Sequence, residues 1–263
     1  MAARSPQTNS TMQATKKLLK NAAVLLFWLL VWQFAAAWAN RGLILDVPTP
    51  ITTAKALFRM LPEGKLVYAA IGSVYRVALG YLIAAAAGVL CALAAHRFPI
   101  FKTLTAPVLQ LIRAVPVAAF IILVYLWLKE GAIPVFISFL MVFPLVWANT
   151  EAGLEAIDQL LLEMARVMEL PKKNILRHIV LPAVLPPVAA ALTTGLGFAW
   201  KSGVAAEVIC RTGGSVGDML WASKTSVDYD EVFAITVVIV ILSVLLENAL
   251  KLGLRRYRRD KTK

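Results

Sequence analysis

Six apolar stretches, each close to 20 residues and almost empty of charge, divide this chain: residues 21–40, 77–95, 106–128, 132–150, 179–200 and 232–250. A bilayer's hydrocarbon core is ~30 Å thick, and about 20 apolar residues in a helix cross it. Only helices or closed barrels satisfy their backbone inside lipid, and runs this long fit helices. The second stretch extends back toward Ala69 and takes in Arg76, and the fifth continues to Val208. The expected fold is therefore all-α: a polytopic membrane protein with six transmembrane helices. Its parts are a segment 1–20, one transmembrane domain 21–254 and a basic tail 255–263.

Composition agrees with that reading. Hydrophobic residues make up 60% of the 263 and charged residues 16%, against roughly 25% charged in ordinary soluble domains. A soluble enzyme or a disordered regulator is excluded on that ground. The net charge is +12, but so apolar a chain does not have the make-up of a nucleic-acid binder. Cationic flanks around membrane spans account for the excess.

The first stretch admits two readings. Lys16, Lys17 and Lys20 before an apolar run ending in Ala37-Trp38-Ala39 are laid out like a signal peptide with a cleavage site. The run is longer than a usual signal core and carries Trp28, Trp32 and Trp38, which favours a retained span. Charge then orients the chain. With both termini cytoplasmic, seventeen of the 27 Lys and Arg fall in inner segments and seven in outer ones, as the positive-inside rule requires. This topology puts Cys91 near the inner face and Cys210 near the outer one, much too far apart for a disulfide. Two cysteines and two histidines, His96 and His178, also fall short of a metal site or any cofactor motif.

Small residues recur every fourth position, as Gly80, Ala84 and Gly88 in span two and Ala191, Gly195, Ala199 and Gly203 in span five. Such faces let helices approach closely in lipid; a sliding or pathway-lining face in span five is the alternative. Prolines 107, 116, 134, 144, 182, 186 and 187 imply kinks. The G-x-S-x-G match, Gly213-Gly214-Ser215-Val216-Gly217, lacks the strand–turn–helix context and the histidine of a nucleophile elbow. It reads as a flexible turn, and the chain as no enzyme.

The loop 151–181 carries the most information. Leu154, Ile157, Leu161, Met164, Ala165 and Met168 recur at helical spacing, Pro171 forces a corner, and a short basic helix follows with Lys172, Lys173 and Arg177. A helix lying on lipid headgroups is one reading. The acids Glu151, Glu155, Asp158 and Glu163 argue instead for docking on a soluble partner.

In this loop, Glu163-Met164-Ala165-Arg166-Val167-Met168-Glu169, nine residues, then Ile179-Val180-Leu181-Pro182 resembles the EAA motif of ABC-importer permeases in spacing throughout. Two positions depart from it: Met164 stands for Ala and Glu169 for Gly. Glycine permits φ > 0 at that corner, so Glu169 implies a differently shaped one. Over residues 45–258 the chain is similar to the nitrate/sulfonate/taurine branch of these permeases. The resemblance rests on Val47-Pro48-Thr49-Pro50, on Ser73, Arg76 and Gly80, on Arg113-Ala114-Val115-Pro116, and on Ala199-Trp200 with Ala206-Glu207.

The resemblance implies a permease subunit in a bacterial inner membrane that pairs with a second copy or sister subunit, couples ATPase closure to inward/outward switching, and carries a small anionic or sulfonate-like solute or a vitamin precursor. Its partners would be cytoplasmic ABC ATPase subunits and an extracytoplasmic solute-binding protein, in a lipid bilayer and without nucleic acid. It implies an ATPase-coupling interface at Glu163, Ala165, Arg166, Glu169, Leu170, Pro171, Ile179, Leu181 and Pro182. A stand-alone secondary transporter or channel is the alternative, but internal repeats and midplane carboxylates are not evident.

Ionisable residues inside spans cost ~2.5–3.5 kcal/mol each near a helix centre on the insertion scale. Arg76, Arg113, Lys201 and Glu207 are accordingly the intramembrane or pathway candidates. Arg76, Glu207 and Glu247 lie near span ends, where snorkelling serves. Lys201 is expected to meet an acidic partner or a wet cavity. Outside, Asp228, Asp230 and Glu231 are either solvated surface or a landing for the binding protein.

Overall fold

The computed structural model describes residues 6–41 and 47–260, with side chains for 19–41 and 47–254. Of the cations used to orient the chain, Arg4, Lys261 and Lys263 lie outside the described residues, as do the side chains of Lys16, Lys17 and the arginines after Leu254. Among the described residues every regular element is helical. Five helical segments have the length and apolarity to cross a membrane: Leu19–Ala39, Lys65–Arg97, Glu130–Glu155, Lys172–Cys210 and Tyr229–Leu254. The sixth expected span is broken.

The chain gathers into two compact units, residues 1–62 with 223–234 and residues 63–222 with 235–263. The first holds α1 (Pro6–Ala39), α2 (Pro50–Met60) and the start of the last helix. Helix α2 opens on a reciprocal cap, the Thr49 hydroxyl accepting from the Thr52 N–H while Thr52 returns the contact to the Thr49 N–H. Proline at its first position suits a site where no N–H is needed. In this unit Trp32 donates to the Pro48 carbonyl (3.0 Å) and stacks on Phe233. Arg59 reaches Asp228 (3.4 Å) and Glu231 (3.7 Å).

The second unit is built on α3 (Lys65–Arg97), α6 (Ile133–Glu155) and α9 (Leu181–Cys210), each packed on the other two. Between the first two of these lie α4 (Pro99–Ala114) and α5 (Val117–Tyr125), and between the last two lie α7 (Gln159–Val167) and α8 (Lys172–Ile175). A π turn, Leu176–Val180, carries α8 straight into α9. The last two helices are α10 (Val216–Thr225) and α11 (Tyr229–Asp260).

The faces of small residues are where the three long helices meet. A Cβ on Gly80 would run into the Val135 carbonyl of α6, and one on Gly203 would come within 2.6 Å of both Ser138 and Val77. Ala84, Ala191, Gly195 and Ala199 are buried with them. Packing, rather than a sliding surface, is therefore what this face of span five does. Ser138 adds a hydrogen bond to the Ala199 carbonyl (3.1 Å), and Tyr81 one to that of Leu192 (2.9 Å).

The region expected as a continuous span at 106–128 is instead α4 and α5, bent by 103° at Val115-Pro116. Proline has no N–H for the helix ladder and pushes the preceding residue out of the helical region; Val115 sits at φ −81°, ψ 130°. A kink is what proline alone implies. The corner is sharper because each half has its own support: Phe101 of α4 stacks on Trp147 of α6, whereas Ile121 and Val124 of α5 are buried with Ile133, Ile137 and Ala206.

Candidate functional site

Three places in the second unit hold the residues singled out from sequence. The first is the loop 151–181. Its leading helix is interrupted: α6 runs on to Glu155, and Asp158 then caps a separate helix, α7, accepting from the Leu160 N–H at 2.9 Å. On α7 only Ala165 is buried, so of the motif residues it supports the helix from below and is not available to a partner. Glu163, Arg166, Glu169, Leu170, Pro171 and Pro182 are exposed, while Ile179 and Leu181 are partly covered. Leu160, Leu161, Met164 and Val167, the last 84% exposed, form an open apolar face on α7. Such a contiguous face on an amphipathic helix marks a contact surface. Reading the motif alone undervalues these four, although their helical spacing was the available signal.

The corner after α7 departs from expectation. Glu169 adopts φ +49°, the left-handed conformation that glycine permits. Two hydrogen bonds hold it there, Leu170 N–H to the Ala165 carbonyl and Glu169 N–H to that of Arg166, both 3.0 Å. This is the Schellman pattern at a helix C-terminus. Glutamate therefore sits in a left-handed corner that glycine would also accept, at a conformational cost of about 1–2 kcal/mol. At the same end of the unit, Lys102 on the first turn of α4 bridges Glu151 (2.6 Å) and Glu155 (3.0 Å) on α6.

The second place is at the opposite end. Glu207 on α9 is completely buried. Its Oε2 accepts from the Ser73 hydroxyl at 2.6 Å, and Oε1 lies 3.6 Å from the Arg76 guanidinium. Arg76 also donates to the carbonyls of Gly214 (3.2 Å) and Gly213 (2.9 Å), and Ser73 accepts from the Val216 N–H (3.0 Å). Ser73 and Arg76 are one turn apart on α3, so both face the same target. Snorkelling does not describe Glu207, which points inward and is paired. The segment 211–216 is likewise no flexible turn: α3 grips it through three backbone groups, the Gly213 and Gly214 carbonyls and the Val216 N–H, and Gly217 packs so closely on α9 that a Cβ would meet Glu207 and the Val208 N–H. The role of Ser73 is visible only in the fold, although its i, i+3 spacing to Arg76 is a clue in the sequence. Glu247, half-exposed on α11, pairs with Lys251 (3.2 Å) one turn on.

The third place is the α4–α5 corner. A cavity of about 620 Å³ opens there between Arg113, Pro116, Met141, Pro144 and Phe198. Arg113 closes the last turn of α4 and donates from Nη2 to the Pro144 carbonyl at 2.9 Å. Lys201 lies on an exposed stripe of α9 with Ala190, Thr194 and Phe198. Among the described residues Lys201 makes no ion pair, so the structure does not bring it an acidic partner.

Comparison with known proteins adds to this geometry. Residues 84–259 match the family model described as binding-protein-dependent transport system inner membrane component. The chain is 28% identical to a putative aliphatic sulfonates transport permease of Bacillus subtilis, over 90% of this chain and 84% of that protein. It is 30% identical to the taurine transport system permease of Escherichia coli, over 72% and 68%. It is 35% identical to a nitrate import permease of Synechococcus elongatus, over 57% and 53%. In fold it is similar to the crystal structure of an amino acid ABC transporter with histidines, with a TM-score of 0.63 at 17% identity, covering 76% of this chain and 97% of that one.

Proposed function

This chain belongs to the family of binding-protein-dependent transport system inner membrane components, and from that premise we propose that it forms the solute pathway of an ATP-driven importer for a small solute that carries an oxyanion group, of the sulfonate, taurine or nitrate kind. It is a multi-pass inner-membrane permease subunit and not an enzyme; ATP hydrolysis belongs to a partner. In this reading residues 21–254 are the permease domain, and the ends 1–20 and 255–263 lie in the cytoplasm with the loop 151–181. Two permease subunits enclose the pathway, two ABC ATPases sit on the cytoplasmic side, and a binding protein delivers solute from outside, where Arg59, Asp228 and Glu231 lie.

The open apolar face of α7 carries this reading. Leu160, Leu161, Met164 and Val167 are exposed on a short helix outside the apolar spans. An ATPase groove that covered them would remove that surface from water, which stabilises the contact in proportion to its area. The Schellman corner at Glu169 and the helical run from Lys172 through Cys210 give the contact a stiff connection to span five. Movement of the ATPases would then pass into α9 as a rigid-body displacement that biases one of two pathway states.

The test is co-purification with the cognate ATPase. Val167→Asp is expected to weaken the complex about 30-fold or more, the size of a loss of ~2 kcal/mol at a central interface residue. Met168→Leu is expected to retain it. An ATPase that stays bound to a folded Val167→Asp chain would overturn the α7 assignment.

A further inference from the structure

We propose that the cavity at the α4–α5 corner is a seat for the transported solute, with Arg113 binding a monovalent oxyanion and the surrounding apolar wall holding a short hydrocarbon tail. The proposal rests on reading the chain as a permease and deepens it by naming the chemistry of the seat. Pro144, whose carbonyl anchors Arg113, is the middle residue of the 23 in α6. The guanidinium therefore lies near mid-depth of a membrane-crossing helix. Among the described residues no carboxylate pairs with it.

A cation at that depth without a counter-ion is costly in lipid. It is tolerated where it faces a cavity, and this one does. The bond to Pro144 uses one of five guanidinium donors. Those that remain keep the planar fork that binds two oxygens of one anion, an arrangement a lysine does not reproduce. A single positive charge neutralises one negative charge; a dianion would retain an uncompensated charge in a site of low polarity.

The rest of the wall sets the tail. Ile112, Val117, Met141, Leu145 and Phe198 line the space and bring no polar side-chain group. The volume, about 620 Å³, is within the usual range for sites that hold small ligands. Arg76 is the contrasting case. It borders a larger cavity of about 920 Å³, but its charge is committed to Glu207 and two of its donors to backbone carbonyls. At the corner, by contrast, Arg113 has no carboxylate partner among the described residues and gives only one of its donors to the protein.

The probe is ethanesulfonate, tested on the full chain in phosphatidylcholine nanodiscs. With Cys91 and Cys210 replaced by alanine, Phe198→Cys is labelled with a neutral water-soluble maleimide. Ethanesulfonate is expected to slow labelling in a saturable way, and sulfate and ethylammonium are not. Adding Arg113→Gln is expected to weaken this protection about tenfold or more, the loss of one charge-assisted contact, with Arg113→Lys intermediate.

Protection that survives Arg113→Gln overturns the proposal. So does equal protection by ethylammonium, which needs no second variant and decides the matter even if Arg113→Gln does not fold. The co-purification experiment is independent of this one. A chain that binds its ATPase but shows no anion protection at Phe198→Cys refutes the seat alone, whereas a folded chain that binds no ATPase refutes the proposed coupling of this permease to an ATPase.

Discussion

Arg76 and Lys201 are both cations within spans of one packed unit, and they have opposite surroundings. Arg76 is four-fifths buried, beside a carboxylate that is wholly buried, and two backbone carbonyls accept hydrogen bonds from it. Lys201 stands on the open side of α9 without an ion pair among the described residues. The first arrangement fastens the segment 211–216 to α3 and leaves little for a solute. Among the described residues no acid offsets the second, and a charge left so is costly in lipid. Depth in the membrane does not separate a structural cation from a functional one; the partner does.

The largest expected effect is at the paired site. Glu207→Ala leaves Arg76 charged and mostly buried with no counter-ion, and breaking such a pair costs about 3–5 kcal/mol. Thermal unfolding of the detergent-purified chain should show this as a large loss of stability. The double variant Arg76→Met with Glu207→Leu removes both charges and should recover most of the loss, a non-additivity that a double-mutant cycle measures. If Glu207→Ala unfolds like the unaltered chain, Arg76 is no more structural than Lys201 and the contrast fails.

Ser73→Ala tests the same site through its hydrogen bonds. The hydroxyl gives to Glu207 and takes from the Val216 N–H, so its removal leaves two buried polar groups without that partner. A cost of about 1–3 kcal/mol is expected, below that of Glu207→Ala. Hydrogen exchange should find the loss concentrated in faster opening of residues 211–217.

The spans, and Ser73, Arg76 and Glu207 one by one, are legible in the sequence, but not that these three meet, and the reason is a matter of range. Hydropathy over 20 residues is a bulk property that survives any detail of packing, so five of the six spans stand as continuous helices. The sixth is two helices because Ile121 and Val124 bury against α6 and α9, which no local pattern reveals; Pro116 announced a kink and not a 103° corner. Glu207 looked like a residue at a span end, since the residue that hydrogen-bonds it is 134 positions away. Glu169 misled in the other direction. Its side chain argues against a left-handed corner, but the two hydrogen bonds that close α7 decide the backbone.

The smallest expected effect on stability is at Lys201. Lys201→Met removes a charge that no described partner needs, so unfolding should shift by no more than about 0.5 kcal/mol. Function should move more than stability does. Lys201 is one turn from Phe198 along the exposed stripe, toward the Cys210 end of α9, which the proposed orientation makes the outer side. An anion approaching the Arg113 cavity from outside would pass it, and loss of that attraction should slow uptake of ethanesulfonate by the reconstituted transporter about three- to tenfold, within what one favourable charge contact supplies. The two readouts divide the outcomes. Unchanged uptake removes Lys201 from the pathway. A loss of stability like that of Glu207→Ala, appearing only in the assembled transporter, means that another subunit supplies Lys201 with a carboxylate; Lys201 would then belong with Arg76, and the comparison would distinguish pairing within a subunit from pairing between subunits.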